Sequence, residues 1–569
     1  MNTLTMNLFF TRTRWAIPAL IAWPVLLGLG LGERALTGSE NRWAEIARNM
    51  IETGDAFHPI INGIIYFDKP LASYWLVVGM QWVTGSVDEL TARLPSVLAG
   101  VLLLWCVYHL TTQLWNRRAG WLALWLTVTC YGFLFWAHTA AADLVNAAFT
   151  LLAVTCFFQR RNKPDLLSYT LFHVICAVGS QMKGLTAWVV PCLIIAPYVL
   201  RDRRWRAHLN INHLLGLLIG LAVYTAPYTI AASTPLPPNT ILPQHGLGGF
   251  ELVIRENIVR FLQPFDHKDP IYSYIYQVPR ILFPWSLLFM VGFYSFARRY
   301  RALNSADRWL LESIILVFIF FTLSGSRRWY YILPIMPLCL MQLAVYLTGN
   351  EAQNQRLRSV ATVATTGLLM LFALALAGLP AIAWFKEIAL PGGIAVAAAL
   401  ALFGSIGLWG LQRWQREKLD ALTGQHNLPS AQLLTATLSM VLLFGIVLPA
   451  LDSFRQEKPF ALALAKQVKE RDKVVFFKHA NETVVFYLHH PEPIPVVDTP
   501  DELAAGPPPG ENIVIIAARR DFPALWKQFP SSRNAKILAA YQPRPWDKQN
   551  KKDDLVAYRL NTPAAGDFR

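Results

Sequence analysis

The stretch RLPSVLAGVLLLWCVYHLTTQLWNRRAGWLALWLTVTCYGFLFW (93–136) decides the fold class. It holds two apolar blocks, 93–115 and 119–136, parted by Asn116, Arg117 and Arg118. Each block has the length an α-helix needs to cross a hydrocarbon layer about 30 Å thick. The pattern recurs near 15–33, 143–159, 166–181, 185–200, 212–231, 280–297, 309–325, 330–348, 360–383, 391–411 and 431–451, about thirteen spans in all. The first block lacks a small-x-small cleavage site and is read as a retained helix. Over 569 residues, 54% are hydrophobic, 12% aromatic and only 15% charged, which excludes a disordered chain and fits a polytopic α-helical membrane protein.

The charges that remain are distributed unevenly. Lys and Arg number 51 against 36 Asp and Glu, a surplus of +15. Alternate connectors carry them: Arg117/Arg118, Arg160/Arg161/Lys163, Arg201/Arg203/Arg204/Arg206, Arg298/Arg299/Arg301/Arg308, Arg356/Arg358 and Arg413/Arg416/Lys418, with Arg12/Arg14 before the first span. These ends are expected to face the cytoplasm, so roughly twenty of the cations are topology signals rather than a nucleic-acid footprint. The N-terminus is then cytoplasmic. An odd number of spans puts the three long polar stretches, 34–92, 232–279 and 452–569, together on the outer face.

Two units follow: a membrane domain over 1–451 with outer loops 34–92 and 232–279, and a small outer α/β domain over 452–569. In the latter, strand-like VVFF (474–477), PIPVV (493–497) and IVIIA (513–517) alternate with helical DELAA (501–505) and FPALWKQF (522–529). GPPPG (506–510) reads as a turn, and Lys548, Lys551 and Lys552 as a solvated face. No Gly-rich phosphate loop, nucleophile elbow or metal-spaced His/Cys cluster appears in it. All six cysteines lie inside apolar blocks and are read as packing residues.

Chemistry is expected in the outer loops. In SENRWAEIARNMIETGDAFHPIINGIIYFDKPLASYW (39–75), Trp43, Ile46/Ala47 and Met50/Ile51 recur at helical spacing, which predicts an amphipathic surface helix over 40–52 with Ser39 as N-cap. Glu40 and Arg42 sit at its start, where the dipole and free N–H groups favour an anion; they read equally well as ordinary first-turn charges. Lys69, Asp143 and Lys183 fall at the outer ends of spans. Charges near hydrocarbon are costly, and they usually pair or line a polar cavity. Snorkelling explains Lys183 easily, but not a short Asp143 in an Ala-rich run.

Six segments taken in order, SENRWAEIARNM (39–50), YFDKPLASYW (66–75), AAADLVNAAF (140–149), MKG (182–184), HKDPIYSYIYQVPRILFPW (267–285) and SGSRRWYYILPIMP (324–337), carry a resemblance. Together they make the chain similar to the GT-C superfamily of polytopic glycosyltransferases. Within that superfamily it most resembles the 4-amino-4-deoxy-L-arabinose (lipid A) transferase family and the broader protein O-mannosyltransferase-like group. The resemblance covers essentially the whole chain. It implies transfer of a sugar from a polyprenyl (undecaprenyl) phosphate carrier to an acceptor on the periplasmic face of the bacterial inner membrane. Lipid A phosphate is the expected acceptor, with another envelope glycan or a protein hydroxyl as the alternative.

Such a reaction breaks a sugar–phosphate bond at an anomeric carbon, so it needs cations for the departing phosphate and a carboxylate near the acceptor. Arg42, Lys69 and Lys183, with Arg260 from the second outer loop, are the expected phosphate ligands. Asp143 and Glu40 are the expected acidic catalytic residues, with Lys69 beside them. One departure stands out: where the family opens the loop helix with an acidic pair, this chain has Ser39-Glu40. Ser and Asp cap helices about equally well, so the helix should persist while one negative charge is lost. A phosphate acceptor, already largely ionised at neutral pH, tolerates that loss better than a hydroxyl.

Relatives of this type can hold a divalent metal, for which Asp68 and His267 would be the ligands if the two loops meet; no cofactor is required. Two ligands are too few to define a site, and a loop histidine bonded to a carboxylate is the preferred reading of His267. Tyr272, Tyr274 and Tyr276 fit an interfacial belt. A transporter would call for internal inverted repeats, which the sequence lacks. A scaffold would leave Asp143 and Lys69 unexplained. The enzyme reading requires Glu40, Arg42, Lys69, Asp143 and Lys183 to border one outward-facing cavity.

Overall fold

The computed structural model describes residues 23–201, 204–238, 240–242, 269–349, 355–385, 430–469, 472–504, 512–528, 535–542 and 553–560, and isolated positions between them. Arg12, Arg14, Arg203, the connector with Arg413, Arg416 and Lys418, GPPPG, Lys548, Lys551, Lys552, Arg260, His267 and most of the 391–411 block lie outside the described residues.

The loop helix α1 spans Glu40–Thr53. A two-strand hairpin, β1 (Ile60–Ile61) and β2 (Ile64–Ile65), follows, then α2 (Ala72–Thr84), inside a stretch read as loop. The membrane-type helices are α3 (Glu89–Leu114), α4 (Arg117–Val128), α5 (Tyr131–Ala137), α6 (Ala142–Arg160), α7 (Leu166–Lys183), α8 (Thr186–Leu200) and α9 (Ile211–Ser233). After the second outer loop come α10 (Ser273–Ile281), α11 (Ser286–Arg298), α12 (Ser305–Leu323), α13 (Met336–Thr348), α14 (Gln355–Phe385) and α15 (Ser430–Leu442), which runs on through a π-turn to Asp452. Side-chain caps set several starts: Asp88, Asn116, Asp165, Asn210 and Asn304 each accept the backbone N–H three residues on.

Among the described residues, five helices are long and apolar enough to cross a membrane, and up to seven if each bent pair is one span. Helices α4 and α5 meet at 62° where the sequence showed one block, 119–136, and α10 and α11 meet at 115°, with α10 falling almost wholly in the 232–279 stretch read as loop. Gly216 and Gly220 let α9 lie directly on α7: a Cβ at either would come within 2.7 Å of Tyr169 or His173.

The chain after Asp452 forms an α/β unit. Helix α16 (Glu457–Ala465) leads into β3 (Asp472–Phe477), α17 (Glu482–Leu488), β4 (Val496–Val497), β5 (Asn512–Ala518), α18 (Phe522–Gln528), β6 (Lys536–Ala540) and β7 (Leu555–Leu560). The sheet order is β4-β3-β5-β7-β6, parallel from β4 to β5 and antiparallel beyond. Strand alternation sends Val474 and Phe476 to one face with α16 and α17, and Val475 and Phe477 to the other with α18.

The first of the three long polar stretches touches each of the other two. Ile65 N–H donates to the Ile241 carbonyl at 3.1 Å, and Ile241 N–H to the Gly63 carbonyl at 2.8 Å, so the 34–92 stretch meets the 232–279 stretch. Asn62 exchanges two 2.7 Å bonds with the Ile494 backbone, so the same hairpin also holds the C-terminal unit.

Candidate active site

Asp143 is the second residue of α6, where the helix dipole favours a carboxylate, and it is only 7% exposed. It forms an ion pair with Lys183, the last residue of α7. The Lys183 ammonium also lies over two rings, 4.7 Å from the centroid of Tyr330 and 5.1 Å from that of Tyr331. The two charges flagged at span ends are thus brought together, and two aromatics from the SGSRRWYYILPIMP segment cover the cation.

Glu40 is joined to this pair through the backbone. Its carboxylate, 4% exposed, accepts from Arg93 Nε at 2.9 Å and Nη2 at 3.1 Å. Arg93, 1% exposed, spends its other N–H groups on the carbonyls of Leu31, Arg34 and Ala35, so all five donors are used. The same Glu40 accepts the N–H of Thr37 at 3.1 Å and of Ala140 at 2.9 Å. Ala140 opens the turn that enters α6, and Ser96 Oγ holds that turn further by donating to the carbonyls of Thr139 and Ala141. Ser39 stands at the N-cap position of α1, but its side chain makes no cap bond there.

Arg42 points elsewhere. Two residues along a helix turn the side chain by about 200°, and Arg42 faces the C-terminal unit. Its Nε donates to both Glu482 oxygens at 2.7 and 2.6 Å, and its Nη1 to Tyr66 Oη at 2.6 Å. Burial alone would lower the Arg42 pKa, but the bonds to Glu482 and Tyr66 outweigh it and raise it. The Tyr66 hydroxyl is pushed up to about 12, by burial first, with Arg42 opposing and Asp68 adding. Asp68 is exposed, and Lys69 Nζ donates to the Asp68 carbonyl at 3.0 Å.

Two groups therefore form, one around Asp143 and Lys183 and one around Arg42, Tyr66 and the Asp68–Lys69 turn. A crevice nearby is lined by Trp43, Ser73, Ser96, Ala141, Ala142 and Met182, and none of Glu40, Arg42, Lys69, Asp143 and Lys183 is among its lining residues, so the single cavity bordered by all five that the sequence called for is not seen among the described residues. Trp43 adjoins Arg42, Ala142 adjoins Asp143 and Met182 adjoins Lys183. Arg260 and His267 lie outside the described residues, so one of the two candidate metal ligands is in view. Among the described residues no three His, Cys, Asp or Glu side chains gather to hold a metal ion.

The sequence reading passed over Arg93, Tyr66 and Glu482. Arg93 opens a predicted span and met the same criterion, a charge at the edge of hydrocarbon, that singled out Asp143 and Lys183. Glu482 carried no signal, since its partner lies 440 residues away.

Residues 68–229 match the dolichyl-phosphate-mannose-protein mannosyltransferase family model. The chain is 29% identical over 390 residues to undecaprenyl phosphate-alpha-4-amino-4-deoxy-L-arabinose arabinosyl transferase 1 of Pseudomonas fluorescens, covering 66% of each. The enzyme of that name from Erwinia tasmaniensis is 27% identical over 480 residues, 80% of this chain and 81% of its own. Against the first two such relatives the chain spans 66% and 60% of their length. The crystal structure of ArnT from Cupriavidus metallidurans bound to undecaprenyl phosphate superposes with a TM-score of 0.71 at 18% identity, covering 96% of this chain and 98% of that one. Its apo state gives 0.66. The chain has the fold of that transferase.

Proposed function

We propose that this chain, folded as a GT-C glycosyltransferase, moves a sugar from undecaprenyl phosphate to an acceptor on the periplasmic face of the bacterial inner membrane, with aminoarabinose as the sugar and a lipid A phosphate as the acceptor. The relatives' names supply the donor and the sugar; the site supplies the chemistry. One observation carries the reading: the ion pair of Asp143 and Lys183, buried at the ends of α6 and α7 beneath Tyr330 and Tyr331.

In the step proposed, an oxygen of the acceptor phosphate attacks the anomeric carbon as the bond from that carbon to the carrier phosphate breaks. The electron pair leaves with the carrier, which departs as polyprenyl phosphate. Lys183, Lys69 and Arg42, with Arg260, bind the carrier phosphate and stabilise the charge that develops on it. Asp143 faces the oxocarbenium-like centre and orients Lys183. Glu40 is already filled by Arg93 and two backbone N–H groups, so it is read as the strut that fixes the turn before Asp143 rather than as the base. A phosphate dianion brings its own charge to the reaction. That fits a site where Ser39 replaces a carboxylate and Glu40 is engaged.

The topology proposed is thirteen spans over 1–451 with the N-terminus cytoplasmic, and a periplasmic α/β domain over 452–569. Mass spectrometry of lipid A from cells with and without the protein tests the function: an aminoarabinose-sized increment on a lipid A phosphate is expected only with it. Unchanged lipid A together with altered envelope glycoproteins would shift the acceptor to a protein hydroxyl.

A further inference from the structure

We infer that the C-terminal unit completes the donor site, through Glu482 acting as a positioning residue for Arg42; this rests on the proposed role of Arg42 in binding the carrier phosphate. An ion pair that leaves both partners about a third exposed contributes little to stability, so its geometry calls for another reading.

Glu482 is held firmly. It is the first residue of α17, whose cap Asn481 accepts the Val484 N–H at 3.1 Å. Helix α17 is docked on α1 by Asn41 Nδ2 donating to Thr483 Oγ1 at 2.7 Å and by Arg48, which donates to the Phe486 carbonyl at 2.9 Å and lies over the Phe486 ring. Farther along, Tyr487 Oη accepts the Leu36 N–H and donates to Glu89, and Asn62 binds Ile494. Docking therefore does not depend on Glu482.

Glu482 takes Nε–H and Tyr66 takes one N–H of Nη1. Among the described residues Nη2 has no hydrogen-bond partner. What remains on the guanidinium is the Nη2 amino group and the second N–H of Nη1, donors that can serve phosphate oxygens. Arg42 stands on α1 beside Trp43, a wall of the crevice, and shares its surroundings with the Asp68–Lys69 turn. A long side chain fixed before the ligand arrives loses less freedom on binding, an advantage of roughly 2- to 13-fold in affinity per side chain. The ligand class is the phosphate monoester headgroup of a polyprenyl lipid.

The test is a double-mutant cycle in the full-length protein in detergent, reading binding of undecaprenyl phosphate and the KM and kcat for the sugar-charged donor. Glu482→Ala is expected to weaken binding and raise KM by roughly 2- to 13-fold with kcat nearly unchanged. Glu482→Gln, which still accepts from Nε, should recover most of the loss. In an Arg42→Ala background Glu482→Ala should add nothing, because it acts through the guanidinium. Tyr66→Phe removes the second orienting bond from outside the C-terminal unit and should shift KM in the same direction, which keeps the test open should Glu482→Ala fold poorly. If Arg42→Ala weakens binding while Glu482→Ala leaves it unchanged or tightens it, the positioning role is wrong and the role of Arg42 stands. If Arg42→Ala itself leaves binding and KM unchanged, the phosphate-binding reading of Arg42 fails, and this inference with it.

Discussion

Glu40 accepts a 2.9 Å hydrogen bond from the backbone N–H of Ala140, a hundred residues further along the chain and three before Asp143. The bond ties the start of α1 to the turn that enters α6, and the position of Asp143 depends on it. Arg93 neutralises the buried Glu40 carboxylate with two of its N–H donors and spends the other three on the carbonyls of Leu31, Arg34 and Ala35.

Removing one member of such a pair strands the other in a dry environment. Arg93→Ala should cost about 3–5 kcal/mol, and Arg93→Lys should recover little, because an ammonium cannot reach the carbonyls of Leu31, Arg34 and Ala35 together with Glu40. Glu40→Gln keeps some of the bonds and should lower kcat more than it raises KM, since it disturbs Asp143 rather than donor binding. Thermal unfolding of the purified variants and steady-state transfer check both. Equal stability of Arg93→Ala and the parent protein would refute the strut.

Asp143→Ala and Lys69→Ala are each expected to abolish detectable sugar transfer while the protein remains in the membrane, a loss of at least about 10²–10⁴-fold. Lys183→Ala should act more severely than loss of a phosphate ligand alone, because it also leaves Asp143 without its counter-charge. The assay is transfer from undecaprenyl phosphate-linked sugar, with membrane content measured in parallel. Full activity in both Asp143→Ala and Lys69→Ala would move the site elsewhere.

How far these residues could be read in advance follows from what each depends on. The span at 212–231 became Ile211–Ser233 because hydrophobic length is a local property. The block at 119–136 is a bent helix pair, and hydropathy has no term for a bend; the block at 280–297 is α11, whose bent partner α10 was hidden in the polar stretch before it. Asp143 stood out because a short carboxylate among alanines has no way to reach water. Glu482 could not stand out, since an exposed Glu beginning a helix is ordinary until Arg42 is placed opposite it. In the C-terminal unit β3 and β5 announced themselves by apolar runs, while β6 and β7, with Lys536 and Arg559 in the paired strands, did not.

The Asp472 carboxyl predicts a pH response outside the membrane. Burial would raise its pKa, but the Lys469 N–H at 2.9 Å, Arg559 and Asn512 outweigh burial and hold it below the usual carboxylate value. A folded value below the unfolded one, near 4, means that this stabilisation is fully present above about pH 4 and is lost as pH falls through the lower folded value. Asp472→Asn should therefore destabilise the C-terminal unit at neutral pH and flatten its acid sensitivity below about pH 4. Limited proteolysis with an acid-active protease, followed as a function of pH, reads this. Parallel pH curves for the two proteins would contradict it.

Ser39 offers the sharpest test of the acceptor. It sits at the N-cap of α1 with no side-chain bond to the helix, so α1 starts without its help and Ser39→Asp should fold normally. The new carboxylate would lie one residue from Glu40, whose oxygens are already filled, and so would be available to take a proton. A hydroxyl acceptor needs such a base, and an ionised phosphate does not. If the natural acceptor is lipid A phosphate, Ser39→Asp should leave that transfer unchanged or weaken it through repulsion, and raise transfer to a hydroxyl acceptor offered in its place. Side-by-side rates with the two acceptors decide the matter: a gain confined to lipid A would mean that the native reaction lacks a base it needs, and that the acceptor phosphate does not enter as a dianion.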